Sequence, residues 1–177
     1  MVVVDIQIPN RCVKMALPNG CVVDILDVIF EKIKEWLQFN ESLPESGGYI
    51  VGYTHLNTGN ITLENISHPY LLDSRNRIRF NIRDPRHNLF LLREKFHKSY
   101  YMGVWHTHPQ LVPVPSSIDW DDWSKTLIED KTASNYVFFV IAGIQTIRVW
   151  VGDFKTKNIE EIFECPKANG LYLNSSR

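Results

Sequence analysis

A chain of 177 residues, 44% hydrophobic and 22% charged, has the length for one domain with a proper core and too little for two. Nineteen Lys and Arg against twenty Asp and Glu leave a net charge of −1, which removes any global electrostatic case for nucleic acid or an anionic membrane as partner. Three cysteines, Cys12, Cys21 and Cys165, form no CxxC pair and argue against a disulfide framework, which suits a reducing compartment, the cytoplasm by default. The opening MVVVDIQIPNR carries Asp5 and neither a basic segment nor a small-residue cleavage site, so it does not read as a signal peptide. The longest apolar run, YVFFVIAGI at 136–144, is far short of the roughly 20 residues a bilayer span requires.

In chain order, residues 2–8 and 11–16 read as short strands, followed by the turn LPNG. From Val22 to Phe39 the apolar positions Val22, Ile25, Leu26, Ile29, Ile33, Trp36 and Leu37 recur at three and four, which predicts a helix ending near Asn40, before Pro44. The segment ESGGYIVGYTHLNTGNITLENISH predicts two strands joined at NTGN. RIRFNIRD at 77–84 alternates Ile78, Phe80 and Ile82 with a basic polar face, the pattern of a half-exposed strand. Asp84 and Pro85 then open a helix running to about His97. YYMGVWHT predicts a strand, HPQLVPVP a proline-stiffened loop, and residues 117–129 a helix. Two adjacent strands, YVFFVIAGI and QTIRVWVGD, precede a short polar tail from Phe154. Strands mixed with three helices point to an α/β or α+β domain in which helices cover a mixed, curved sheet.

Chemistry concentrates in GVWHTHPQLVPVPSSIDWDDW, residues 103–123. His106 and His108 are two apart, and on a strand that spacing sends both rings to one face, where they can share a divalent cation. Asp119, in the first turn of the next helix, could supply a third ligand and leave one tetrahedral position for water. Each element also has a plainer explanation. An HxH pair alone is more often two partly exposed histidines, and SSID reads as an N-cap serine with a carboxylate three residues on. Asp121 and Asp122 suit a helix N-terminus, while Trp105, Trp120 and Trp123 suit packing. Glu45 in isolation is a solvated loop carboxylate after Pro44.

Taken together, Glu45 with Gly47, Gly48 and Gly52, then His106, Thr107, His108 and Pro109, then Ser116 and Asp119 resemble the JAMM (JAB1/MPN/Mov34) zinc metalloprotease family. That family's motif is an upstream glutamate, HxHP, and SxxD with its aspartate eleven residues after the second histidine. The resemblance implies a single-domain, cytidine-deaminase-like JAB/MPN fold over residues 1–177. It also implies Zn2+ held by His106, His108 and Asp119, Glu45 as general base, and Ser116 as a donor to the developing oxyanion. The implied activity is hydrolysis of a peptide or isopeptide bond after the C-terminus of a ubiquitin-like or otherwise conjugated protein.

WHTHP with PSSID on a lone domain is most similar to the stand-alone prokaryotic branch of the family. Its members in bacterial anti-phage (CBASS) operons release a cGAS-like nucleotidyltransferase from conjugates. An extended substrate tail could add to an exposed strand edge, and Arg79, Arg83 and His87 are the candidate contacts. The alternative is a non-catalytic JAB/MPN scaffold, against which the retained ligands speak. A zinc deaminase would need HxE and PCxxC, and a metallo-β-lactamase an aspartate where Gln110 stands.

Overall fold

The computed structural model describes residues 12–165, so the strand expected over residues 2–8 lies outside them. The elements are β1 (Cys12–Ala16), β2 (Val22–Leu26), α1 (Asp27–Lys34), β3 (Gly47–Thr54), β4 (Ile61–Ile66), β5 (Ser74–Asn76), β6 (Arg79–Asn81), α2 (Arg86–Phe96), β7 (Tyr100–Thr107), α3 (Ser117–Glu129), β8 (Tyr136–Ala142), β9 (Ile147–Asp153) and β10 (Ile159–Ile162). Eight strands form one mixed sheet in the order β1-β2-β4-β3-β7-β8-β9-β10, and β5 and β6 form a separate hairpin. Among the described residues, only β2 with β4 and β7 with β8 run parallel. This is the curved mixed sheet with three helices that the sequence predicts.

The single helix expected from Val22 to Phe39 is a correction: it is a strand followed by a shorter helix. Val22–Leu26 pairs antiparallel with Cys12–Ala16 across the LPNG turn, burying Val23 and Ile25 on one face. The β-branched run VVDIL can satisfy its backbone either way, and the neighbouring strand decides it. Helical geometry begins at Asp27, whose carboxylate favours the positive helix start, and buries Ile29, Phe30 and Ile33. RIRFNIRD is likewise strand only at Arg79–Asn81, and Ile78, expected to face inward, is 71% exposed at the hairpin turn.

The sheet bends until its ends meet. Met15 bridges Glu164 just past β10, the Ala16 N–H donates to the Phe163 carbonyl at 3.2 Å, and the Cys165 N–H donates to Lys14 O at 2.8 Å. Val13, Val23, Ile25, Leu63, Met102, Trp105, Phe138 and Val149 fill the concave side together with Ile29 and Ile33 of α1. On the convex side, Val137, Phe139, Ile141 and Trp150 are covered by Trp123 and Leu127 of α3, with Trp123 stacked on Phe139 at 4.7 Å between ring centroids. Strand β8 is therefore apolar along its whole length because both of its faces are buried.

Close packing at the strand centre leaves no room for a side chain at Gly103 of β7. A Cβ built there would lie 1.9 Å from the Phe138 carbonyl oxygen of the paired strand. Gly103→Ala is expected to force β7 away from β8 and cost about 3 kcal/mol, read as a lower thermal midpoint. An unchanged midpoint would show that the pairing tolerates the shift.

Candidate metal centre and catalytic groups

The site lies at the C-terminal end of β7, where the parallel β7–α3–β8 crossover begins. Ligands in sheets with helical crossovers gather at the carboxyl ends of strands, because there the connecting loops and helix starts converge. Strand alternation sends His106 to the convex side with Val104, and His108 follows on the same side just beyond the strand. Thr107 points the opposite way. Its Oγ1 accepts the Ser46 N–H at 2.9 Å and its own N–H donates to Ser46 O at 2.9 Å, which seats the segment carrying Glu45 beside the histidines.

Helix α3 starts with a complete capping box, satisfied by an aspartate at its third position. Ser116 Oγ accepts the Asp119 N–H at 3.2 Å, and Asp119 Oδ2 accepts the Ser116 N–H at 2.6 Å and its hydroxyl at 2.7 Å. That leaves Asp119 Oδ1 free to face His106 Nε2 at 3.0 Å. The capping reading of SSID is met through Oδ2, and Oδ1 of the same carboxylate stays available to a metal ion. As the side chains stand, the Ser116 hydroxyl is spent on Asp119, so donation to a substrate oxygen requires it to turn.

His106 Nε2 and His108 Nε2 are 3.1 Å apart, and His108 Nε2 is 3.5 Å from Asp119 Oδ2. A tetrahedral zinc with ~2.0–2.1 Å bonds spaces its ligand atoms about 3.3 Å apart. Two imidazoles and a carboxylate at that spacing are a donor set suited to zinc, and among the described residues this trio is the cluster able to hold a metal ion.

Glu45 is 5% exposed, with Oε1 3.8 Å from His108 Nε2, close to the trio without being part of it. Burial pushes its carboxyl up to about 7, opposed by the nearby His106 charge and a backbone hydrogen bond from Phe80. Burial depresses His106 as well, but the Asp119 carboxylate against its ring more than offsets this and leaves it raised. His108 is lowered by burial and by the facing His106. Asp119 is held below the usual carboxylate range: burial pushes it up, and the His106 and Ser116 hydrogen bonds outweigh that.

The β5–β6 hairpin roofs this centre. Arg75 Nε donates to Glu45 O at 2.8 Å and its Nη2 to Ser46 Oγ at 2.6 Å, while the Glu45 N–H donates to Asn76 O at 2.8 Å. No motif marks Arg75, and only the folding of the hairpin against the Glu45 segment reveals the contact. Gly47 makes the roof possible, since a Cβ there would strike the Phe80 ring at 2.6 Å.

Of the candidate substrate contacts, Arg79 borders the site. It lines the same cavity as Glu45, His106 and Asp119, and its Nη2 reaches both Asp122 carboxylate oxygens at 3.2 and 3.4 Å. Arg83 is exposed but outside that cavity. His87 is a correction. It is 1% exposed, hydrogen-bonded to Ser67 Oγ and Asp73 Oδ2 at 2.8 Å each, and packed edge-on against Tyr49. Buried and fully partnered, it anchors the hairpin's base and presents no atom to a substrate.

A trio able to hold a metal ion, with a separate buried carboxylate beside it at a strand end, is a set of groups suited to hydrolysis. Residues 31–152 match the family described as prokaryotic homologs of the JAB domain, and the chain belongs to it. The match leaves out β1, β2 and β10, the strands at the two meeting ends of the sheet. Two curated relatives named CD-NTase/cGAS isopeptidase are similar. The one from Vibrio cholerae serotype O1 is 29% identical over 118 residues, 64% of this chain and 74% of the relative. The one from Escherichia coli strain TW11681 is 29% identical over 140 residues, 77% and 83% respectively. The solution structure of a Desulfitobacterium hafniense protein has a TM-score of 0.52 at 18% identity, covering 76% of this chain and 85% of that one, a likeness of fold.

Proposed function

We propose that the protein is a zinc-dependent isopeptidase that hydrolyses the bond after the C-terminus of a conjugated protein, a cGAS-like nucleotidyltransferase of a bacterial anti-phage (CBASS) system, in the cytoplasm. The observation that carries this reading is the convergence of His106, His108 and Asp119 at zinc-ligand spacing beside the buried, non-ligating Glu45. The names of the two curated relatives support the choice of substrate.

Bound by these three side chains, zinc would supply Lewis acidity, polarising a carbonyl oxygen and lowering the pKa of water toward 7. Glu45, with its pKa raised to about 7, is suited both to take a proton from the attacking water and to pass it to the departing amine. Ser116, once turned from Asp119, donates its hydroxyl to the carbonyl oxygen as negative charge develops there. The amide C–N bond breaks, water supplies the new carboxylate oxygen, and the amine leaves protonated.

The main sheet offers an extended tail little purchase, because its two ends are joined at Met15 and Glu164. Strand β6 borders the cavity next to the zinc ligands through Arg79, Phe80 and Asn81, and is the edge that would hold the tail.

The test is incubation of the zinc-loaded protein with a cGAS-like nucleotidyltransferase joined by its C-terminal carboxyl to a lysine of a reporter protein. Mass spectrometry should show both partners released at the isopeptide bond, and release should stop with a chelator. An intact conjugate with zinc-loaded protein would sink the reading.

Zinc uptake should depend on pH in a stated direction. The raised pKa of His106 means that its proton must leave before the ring can bind the ion. Below that pKa, apparent zinc affinity is expected to fall about tenfold per pH unit for each proton released. Competition with a chromophoric chelator at a series of pH values measures the slope, and a flat profile would remove His106 from the ligand set.

A further inference from the structure

Outside regular structure a side chain is aimed only by what holds its main chain. Glu45 and Ser46 lie just before β3, in neither helix nor strand, so no ladder fixes the direction in which the Glu45 side chain leaves the backbone. Bonds from other elements do so. The Glu45 N–H donates to Asn76 O at 2.8 Å, and the Glu45 carbonyl accepts Arg75 Nε at 2.8 Å. The N–H of Ser46, in the same peptide plane as that carbonyl, donates to Thr107 Oγ1 at 2.9 Å. Both peptide planes that meet at the Glu45 Cα are therefore pinned, and with them the direction of its Cβ.

Arg75 adds a second bond to the same segment, from its Nη2 to Ser46 Oγ at 2.6 Å. A guanidinium presents its donors in one rigid plane, so two bonds from it fix direction as well as distance. Arg75 is itself held. Its guanidinium carbon lies 5.6 Å from the centre of the Trp36 ring, just past α1, and Trp36 stacks on His68 with 5.7 Å between ring centroids. Across the hairpin Arg75 faces Phe80, whose N–H bonds to the Glu45 carboxylate, so one rung grips both the main chain and the side chain of Glu45. Arg75 Nε and Nη2 both go to uncharged oxygens, an arrangement that places a group and neutralises no charge.

We propose that Arg75 is a positioning residue for the general base: through the Glu45 carbonyl and the Ser46 hydroxyl it sets where the Glu45 carboxylate stands beside His108. Its bonds go to the Glu45 segment and not to His106, His108 or Asp119, so it acts on the proton transfer and leaves the metal ligands alone. Displacing a reacting group by about 1 Å can cost on the order of 10²-fold in rate, which is the scale at which such a hold matters. This inference rests on the reading of Glu45 as general base and adds to it the group that aims it.

The experiment is a double-mutant cycle on the zinc-loaded protein: wild type, Arg75→Ala, Glu45→Gln and both changes together, acting on a cGAS-like nucleotidyltransferase linked by an isopeptide bond to a lysine peptide. Arg75→Ala is expected to lower kcat by about 10- to 100-fold with KM close to wild type and zinc content unchanged. In the Glu45→Gln background, where there is no base left to aim, the same change should lower the single-turnover rate by no more than about twofold. Arg75→Lys keeps the cation but not the fork, so its kcat should fall between those of wild type and Arg75→Ala, and it carries the same cycle where the alanine variant folds less well. A merely structural part, or one in holding the substrate, would lower both backgrounds equally or raise KM. Either result, a fall in zinc content matching the loss, or a wild-type rate in Arg75→Ala, overturns the positioning role and leaves the deconjugation reading in place. A conjugate left intact by zinc-loaded wild type overturns both.

Discussion

Glu45→Gln is expected to lower the hydrolysis rate by about 10²–10⁴-fold while the protein keeps its zinc. Glutamine retains the shape and one acceptor oxygen of the side chain but can take no proton. The loss should appear in kcat, with KM close to wild type, because Glu45 acts on the reacting water and not on the tail. Folding should not suffer. A carboxyl whose pKa burial has pushed up to about 7 gains little from its charge, and a neutral amide in the same buried place relieves that cost. Metal content by mass spectrometry, thermal midpoint and single-turnover rates check the three statements together. A variant that hydrolyses at the wild-type rate would assign the proton transfer to another group.

Asp119→Asn should have the other large effect, through a different quantity. Removing the carboxylate proposed as a direct ligand is expected to weaken zinc binding by at least about 100-fold, more than the loss of groups that merely support a ligand. Activity should fall with it and return in part when zinc is added in excess. The same change touches the start of α3, since Oδ2 accepts both the N–H and the hydroxyl of Ser116. About 1 kcal/mol of helix stability goes with that cap. Asp122→Asn is the control: one turn along, Asp122 pairs with Arg79 and belongs outside the trio, so its loss should leave zinc content untouched. Equal metal in Asp119→Asn and wild type would remove Asp119 from the ligand set.

How far these residues could be read from the sequence depends on how local their determinants are. Helix α3 occupies residues 117–129 as read, because its start is written within four residues: a serine hydroxyl and a carboxylate three positions on. Strand alternation sets the side that His106 takes, and His108, one residue past the strand, keeps that side with its N–H still donating to Ala142 O of β8. Where a distant partner decides, the pattern misleads. Val22, Ile25 and Leu26 fit a helical spacing, yet pairing with Cys12–Ala16 makes them a strand. Ile78 keeps the alternation of a half-buried strand, but the hairpin carrying it is too short to join the main sheet and its side chain faces water. His87 reads as a surface histidine of a basic segment, and only the folded chain brings Ser67 and Asp73 against its two nitrogens. Arg75 holds the site without belonging to any pattern of spacing, and Thr107 and Ile118 stand at the variable places of HxHP and SxxD, so their contacts with other elements are not written in the motif.

The joining of residues 14–16 to residues 163–165 has a bearing on how the molecule is made. Pairings between segments so far apart in the chain are slow to form, because the entropy of closing the loop must be met before the contacts repay it. During synthesis one edge of β1 can pair with β2, but its other edge waits until nearly the whole described chain has left the ribosome. Nascent chains stalled short of residue 163 should accordingly be more sensitive to protease at β1 than the full chain, whatever order their middle strands have reached.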